Sequence, residues 1–374
     1  MNRRDVIKGL IIFFVFFVAV YSVMFLWRQS QANFDAFRQF NWWLMPLVLF
    51  SVLINFVLRE LKWDFFRRRA NIEWQKPIPR SASWLIFFSG YSMCISPGRF
   101  GELIKPALYK EYYNSPLKKT VPLVFCERLT DLLGMVLMCL LTIGFYFRSM
   151  KGGETTWSDQ QLLFFFVLSS AFLAGLIGMA RWRTFVMAVL DKAAHVPKLS
   201  KVSDKLRGLY QSTYPLLTFY NLSTMSVFAA VSWCFECLAM YMVCYGLGIT
   251  DLQGGPVTML HCIFIFCISS ILGALAFIFP GGMGPVEVMM KVLLINLGVP
   301  GPSALAAMFL TRFSTLFFGA VLGFFFLWVT ARYHRDADLW GHLSEAVEAD
   351  EPDEAGGSDG ASRAQGSSTP TSTS

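Results

Sequence analysis

Residues 96–106 read SPGRFGELIKP: two prolines, two glycines and three charged side chains, Arg99, Glu102 and Lys105. They interrupt a segment, 81–113, that is otherwise dominated by apolar and aromatic residues. Whether this break is a surface loop or an interruption inside a membrane decides the fold. The distribution of charge along the rest of the chain bears directly on the choice.

Of 374 residues, 55% are hydrophobic, 37 are Phe and only 15% are charged, against about 25% charged in soluble domains. This is the composition of a membrane protein. Apolar runs near 7–26, 42–58, 121–147, 162–180, 223–247 and 304–330 reach the length, about 17 residues or more, that crosses a bilayer. The first, Ile7–Leu26, has Arg3, Arg4 and Lys8 at its start in the manner of an export signal. No small-residue cleavage site comes after it and many spans do, so it reads as an uncleaved anchor.

The formal charge of +7 hides two unlike parts. Residues 336–374 hold nine acids and one Arg, which leaves 31 basic and 16 acidic residues in 1–335. The expected organisation is a transmembrane domain over 1–335 and a disordered, acidic, Gly/Ser/Thr-rich cytoplasmic tail over 336–374. The basic excess falls in short loops between spans, where it marks orientation and is no signal for nucleic acid. All eight Cys lie in apolar stretches. The CFEC of Cys234–Cys237 has a redox-like spacing but sits inside a span, so its thiols read as small apolar fillers. The four His are scattered; only His261 is in a span, and there a core residue is the plainer reading than a proton relay. No metal or cofactor site is expected.

Lys and Arg number three at the N-terminus, seven in 59–80, seven in 181–222 and two in 331–335. Segments 27–41 and 148–160 hold two each, and 248–256 none. Both termini are therefore expected in the cytoplasm. Loop 59–80 and Lys118–Lys119 then share that side, so segment 81–113 must enter the membrane and return. Pro97 and Gly98 would form the tip of a re-entrant helical hairpin, Pro removing a donor and Gly permitting the turn. The same parity makes 257–299 enter and return from the opposite side, about the break FPGGMGPVE, Phe279–Glu287. Two full crossings of each broken segment satisfy the parity as well. The expected count is about six full spans, or eight when the two hairpins are counted with them. Irregular backbone at that depth is tolerated only when buried in protein or lining a wet cavity. The breaks thus read as walls of a site.

The two breaks resemble each other. Pro97-Gly98-x-x-Gly101 matches Pro280-Gly281-x-x-Gly284 at an offset of 183. Downstream, FCERLTDLLG (Phe125–Gly134) resembles FLTRFSTLFFG (Phe309–Gly319), with Arg128 and Arg312 offset by 184. Each half reads as two spans, a hairpin and a span bearing an Arg, in opposite orientation. The expected fold is an all-α polytopic membrane protein built as an inverted-topology repeat, with a shared site near the midplane. Loop 181–222, basic and suited to an amphipathic helix on the membrane surface, is an insertion that breaks the wider offset.

At SPGRFGELIKP, ERLTDLLG, FPGGMGPVE and TRF the chain resembles the lysylphosphatidylglycerol synthase transmembrane region, a flippase-like family, over roughly 1–335. Members of that family include free-standing inner-membrane proteins and the membrane half of the bacterial multiple peptide resistance factor. In the latter, the region is associated with moving aminoacylated phosphatidylglycerol between leaflets. The resemblance therefore implies an inner-membrane location and lipid translocation. Synthesis in that factor resides in a separate soluble domain. A related archaeal dolichol-linked glycosyltransferase likewise has its own catalytic domain. Neither domain is in this sequence, so synthesis is not expected of it.

Ionisable residues within spans cost about 2.5–3.5 kcal/mol each on insertion scales and are functional candidates by default. The first half has Arg99, Glu102, Lys105, Glu127, Arg128 and Asp131; the second has Glu236, Glu287, Lys291 and Arg312. Helical spacing puts Glu127 with Asp131, and Glu287 with Lys291, on one face. Five bases and five acids can neutralise one another as a purely structural network. They can also build a lipid head-group site from Arg99, Glu102, Arg128, Asp131, Glu287 and Arg312, supported by Lys105, Glu127, Glu236 and Lys291. Both hairpin tips offer backbone N–H groups at a helix start, near Gly101 and Pro285, and helix starts attract anions. An Arg fork donates two parallel hydrogen bonds to a phosphate, so Arg128 and Arg312 are expected to flank the head group from the two halves.

The function expected is movement of an anionic or aminoacylated phospholipid, or a polyprenyl-phosphate-linked lipid, between leaflets, without enzymatic activity. No P-loop or GxGxxG is present, and no His cluster of the kind lipid phosphatases use. The longest internal loop, about 42 residues, is short of a domain of ~100. The alternative is a membrane scaffold or accessory subunit for a partner lipid or cell-envelope glycan enzyme; an intramembrane lipid-modifying enzyme has less in its favour.

Overall fold

The computed structural model describes residues 30–70, 78–94, 96, 101–149, 182–194, 200–250, 254–276 and 279–350, with scattered positions between 167 and 178. The apolar run 7–26, most of 162–180, and Pro97, Gly98 and Arg99 of the first break lie outside the described residues. Among those described, the secondary structure is helical, with one isolated bridge between Thr250 and Pro256. Among the described residues, three helices, Trp42–Arg69, Phe219–Gly246 and Gly301–Arg335, are long enough to cross a membrane and hold an 18-residue stretch of mean hydropathy 1.9, 1.8 and 1.9 respectively.

Helix α1 (Ser30–Arg38) leads through a short turn, Trp42–Leu44, into α2 (Met45–Arg69). Pro46 in its first turn and Arg67–Arg69 in its last suit the two ends of a helix. This helix runs well past the span expected at 42–58. Arg59 and Lys62, counted above among the basic residues of a cytoplasmic loop, are instead buried on α2. The correction has a physical cause: carboxylates on another helix match their charge, which removes most of the reason to stay in water.

Helices α3 (Arg80–Ser89) and α4 (Ile104–Tyr113) form the first hairpin. Ser83 Oγ and Tyr109 OH meet at 2.9 Å far from the tip. Near the tip Gly101 approaches Met93 so closely that a Cβ would collide with it. The long α5 (Leu117–Ser149) follows, then α6 (Arg183–Ala194) and α7 (Ser200–Thr213). Helix α8 (Phe219–Gly246) starts at Thr218, whose hydroxyl accepts from Asn221 N at 3.2 Å.

The second hairpin pairs α9 (Met259–Leu275) with α10 (Pro285–Asn296). Gly281, Gly282 and Gly284 have φ of 61°, 70° and 98° in its break, a region open to glycine and costly for other residues. His261 is a buried core residue with a local task, its Nδ1 accepting from Thr258 N at 3.2 Å to cap α9. Helix α11 (Gly301–Arg312) continues through a π-helical turn, Phe313–Phe317, into α12 (Phe318–Asp350).

Helices α2 and α8 pack along each other, tied by Ser51 Oγ to Phe235 O at 2.7 Å and Asn55 Nδ2 to Ser232 O at 2.8 Å. Such polar ties are a common glue where lipid surrounds the helices. The first hairpin leans on α12 through the stacked rings of Phe88 and Phe326, 4.8 Å apart, and Ser89 Oγ to Thr330 Oγ1 at 2.9 Å. The second leans on α5, where Tyr146 stacks on Phe264 at 4.4 Å and donates to Leu293 O at 2.9 Å.

The chain divides into two compact units, Met1–Ala331 and Arg332–Ser374. In the second, helix extends to Asp350, whereas composition alone gave disorder from residue 336. Ala, Leu and Glu recur in 337–349, and these are strong helix formers. Residues 351–374 lie outside the described residues.

Candidate functional site: a buried charge network and the cavity beside it

Helix α2, the first hairpin and α5 together bury a charge cluster. Glu127 and Asp131, one turn apart on α5, are both fully buried. Arg59 Nη2 lies 3.1 Å from Glu127 and 3.4 Å from Asp131. Lys62 pairs with Asp131 and also donates to Glu127 O at 3.3 Å. Lys105 reaches Glu127 at 2.6 Å and Glu102 at 3.8 Å. Arg128 contacts Glu102 at 2.8 Å, Glu127 at 3.2 Å and Asp131 at 3.7 Å. Four cations against three carboxylates leave the cluster at +1. Aromatic rings line it: Lys105 lies over Trp63 and Phe87 at 4.6 and 4.7 Å, and Arg59 over Tyr91 and Trp233 at 5.5 and 5.4 Å. Trp233 also donates from Nε1 to Asp131 at 3.1 Å.

The second half holds a smaller pair. Arg312 Nε donates to Glu287 Oε1 at 2.6 Å, and its Nη2 to Gly281 O at 3.3 Å. The other oxygen of Glu287 accepts from Gly284 N at 2.7 Å. The start of α10, expected to draw an anion, thus already carries one of the chain's own carboxylates. Lys291, one turn further along the same helix, is half-buried and not part of this pair.

Between the two groups lies a cavity of about 50 Å³. Arg59, Tyr91 and Glu102 face it from the first half; Glu236, Arg312 and Thr315 face it from the second. Arg59 Nε and Tyr91 OH are buried at its wall and have no hydrogen-bond partner among the described residues. The π-helical turn after Arg312 contributes Thr315 and Leu316 to the lining, and such turns recur at functional sites.

Of the residues singled out by sequence, Glu102, Lys105, Glu127, Arg128 and Asp131 are brought together, as are Glu287 and Arg312, with Glu236 beside the cavity. Arg99 lies outside the described residues. Sequence reasoning missed Arg59, Lys62, Tyr91 and Trp233. The first two were legible in principle, because LRELKWDFF keeps apolar residues at helical spacing beyond the expected span end. Tyr91 and Trp233 carried no signal among so many aromatic residues.

The sequence profile of the family described as the lysylphosphatidylglycerol synthase TM region matches residues 6–323. A UPF0104 membrane protein of Methanothermobacter thermautotrophicus (strain Delta H) is 22% identical over 306 residues, covering 77% of this chain and 84% of that protein.

Proposed function

The chain belongs to the lysylphosphatidylglycerol synthase transmembrane-region family, a lipid-related family of membrane proteins, and from that premise we propose that it translocates a lipid with an anionic, phosphate-bearing head group between leaflets. The lipid would be an anionic or aminoacylated phospholipid or a polyprenyl-phosphate-linked one, moved without chemical change across the inner membrane. Both chain termini would face the cytoplasm.

One observation carries the proposal: a cavity of mixed polar and apolar lining within an apolar helical protein, with Arg59 of α2 and Arg312 of α11 on its wall beside Glu102 and Glu236. Guanidinium groups suit a phosphate by charge and by their planar fork. Arg128, expected to flank the head group opposite Arg312, is partly exposed and held by the carboxylates of the first cluster, and Arg59 takes its place on the cavity wall.

The re-entrant reading of the first hairpin gains support from length. Helices α3 and α4 have ten residues each, about 15 Å apiece, half of a hydrocarbon core of roughly 30 Å. The inverted repeat gains support from a shared pairing. In each half a Glu near the start of the hairpin's second arm, Glu102 or Glu287, meets an Arg on the following helix, Arg128 or Arg312.

Reconstitution in vesicles with labelled lipids tests the proposal. A translocator delivers the same lipid to the other leaflet. Appearance of a new lipid species would replace it with an intramembrane enzyme. Neither change would favour a scaffold for a partner enzyme.

A further inference from the structure

Helices α6 and α7 take no part in the cavity, yet they present a distinctive surface. They pack on each other, with Ser203 Oγ donating to Leu190 O at 2.5 Å and Arg207 paired with Asp191, while α7 packs on α5. Trp182, Phe185 and Val189 are left outside this packing, exposed by 62%, 45% and 48%. Their spacing puts all three on one helical stripe, and the rings of Trp182 and Phe185 touch at 5.3 Å between centroids.

A chain of contacts fixes where this stripe lies. Arg183 sits over the ring of Tyr214 at 5.8 Å. The turn that follows holds Leu216 O, which accepts from Asn221 Nδ2 at 2.9 Å, and Asn221 Oδ1 accepts from Arg69. Arg69 closes α2 together with Arg67 and Arg68, and lies over Tyr220 at 5.7 Å. The α6–α7 pair therefore occupies the end of the bundle where α2 finishes in three arginines. Phe219 and Tyr220, both exposed, open α8 at that same end. Residues 181–222 add seven basic side chains against two acidic ones. Aromatic residues beside a dense basic rim mark a membrane–water interface, and the basic excess favours anionic head groups.

We propose that the Trp182–Phe185–Val189 face of α6 docks on anionic phospholipid of the leaflet at the Arg67–Arg69 end of the bundle. The apolar stripe enters the head-group boundary while Arg183 and Lys192, both exposed on α6, meet the lipid phosphates. This surface is separate from the cavity, so its test does not depend on translocation.

The full chain is placed in nanodiscs of phosphatidylcholine or of an equimolar mixture with phosphatidylglycerol, each doped with a photoactivatable analogue of one of the two lipids. Adducts are then mapped by mass spectrometry. The expected result is labelling of the peptide spanning residues 182–192, several-fold stronger from the phosphatidylglycerol probe. Joint Arg183→Gln and Lys192→Gln substitution should remove that preference, and Phe185→Ser with Val189→Ser should lower labelling by both probes. The parent chain alone decides the matter should a variant fold poorly. Absence of adducts on this peptide while the α8 span labels would overturn the proposal, as would equal yields from the two probes. Crosslinking of this peptide to a second copy of the chain in place of lipid would overturn it too.

Discussion

Arg312 donates from Nε to Glu287 Oε1 at 2.6 Å, while Glu287 Oε2 accepts from the backbone N of Gly284 at 2.7 Å. One carboxylate thus balances a buried guanidinium and caps the helix that follows the second break. Glu287→Gln keeps the shape but removes the carboxylate charge that Arg312 meets at 2.6 Å, a loss expected to cost about 3–5 kcal/mol. Thermal unfolding in detergent should show the drop. Adding Arg312→Met should recover part of it, since no charge is then left unpaired. A double variant at least as unstable as the sum of the singles would contradict the pairing.

The first cluster makes an asymmetric prediction, because its four cations already outnumber its three carboxylates. Asp131→Asn raises the buried excess from +1 to +2 and removes the carboxylate charge paired with Lys62. Lys62→Met brings the excess to zero. Denaturation of the two variants side by side should find Asp131→Asn the more damaging by a clear margin. The reverse order would mean that the cluster is balanced by something other than these residues.

Topology is open to labelling from one side of the membrane. Lys118 opens α5 and Pro256 lies in the turn before α9; both are exposed. The native thiols are buried or half-buried, so their background is low. An impermeant thiol reagent applied outside should reach Pro256→Cys and spare Lys118→Cys. Labelling of Lys118→Cys from outside would end the first re-entrant hairpin and, with it, the inverted repeat.

The break between α9 and α10 was legible because Pro280 and its glycines interrupt an apolar run, and the φ values at 281, 282 and 284 are the conformational demand that the sequence advertises. Glu127, Asp131, Glu287 and Arg312 were legible as charges out of place. Their partners were less so, because side-chain pairing is tertiary. Glu287 has Lys291 on its own face one turn away, but the fold brings Arg312 from another helix to it. Arg59 and Lys62 were lost to a misplaced helix end, since basic residues after an apolar run look like the start of a loop. The backbone donors at the start of α10 were foreseen; their use by Glu287 was not, because a cap and a ligand site share the same N–H groups.

The central claim, that Arg59 and Arg312 hold a lipid phosphate from two sides of one cavity, is tested most directly by lysine at each position. Lysine keeps the charge, so the buried networks should largely survive, but it loses the planar fork that grips a phosphate. Lipid flux in reconstituted vesicles is measured for Arg59→Lys and Arg312→Lys, with Arg128→Lys alongside and the thermal stability of each recorded. The account predicts near-parental stability with flux slowed by about tenfold or more at Arg59 and Arg312, equivalent to roughly 1.4 kcal/mol. Parental flux in both of those well-folded variants would contradict it and leave these arginines as counter-ions of buried carboxylates.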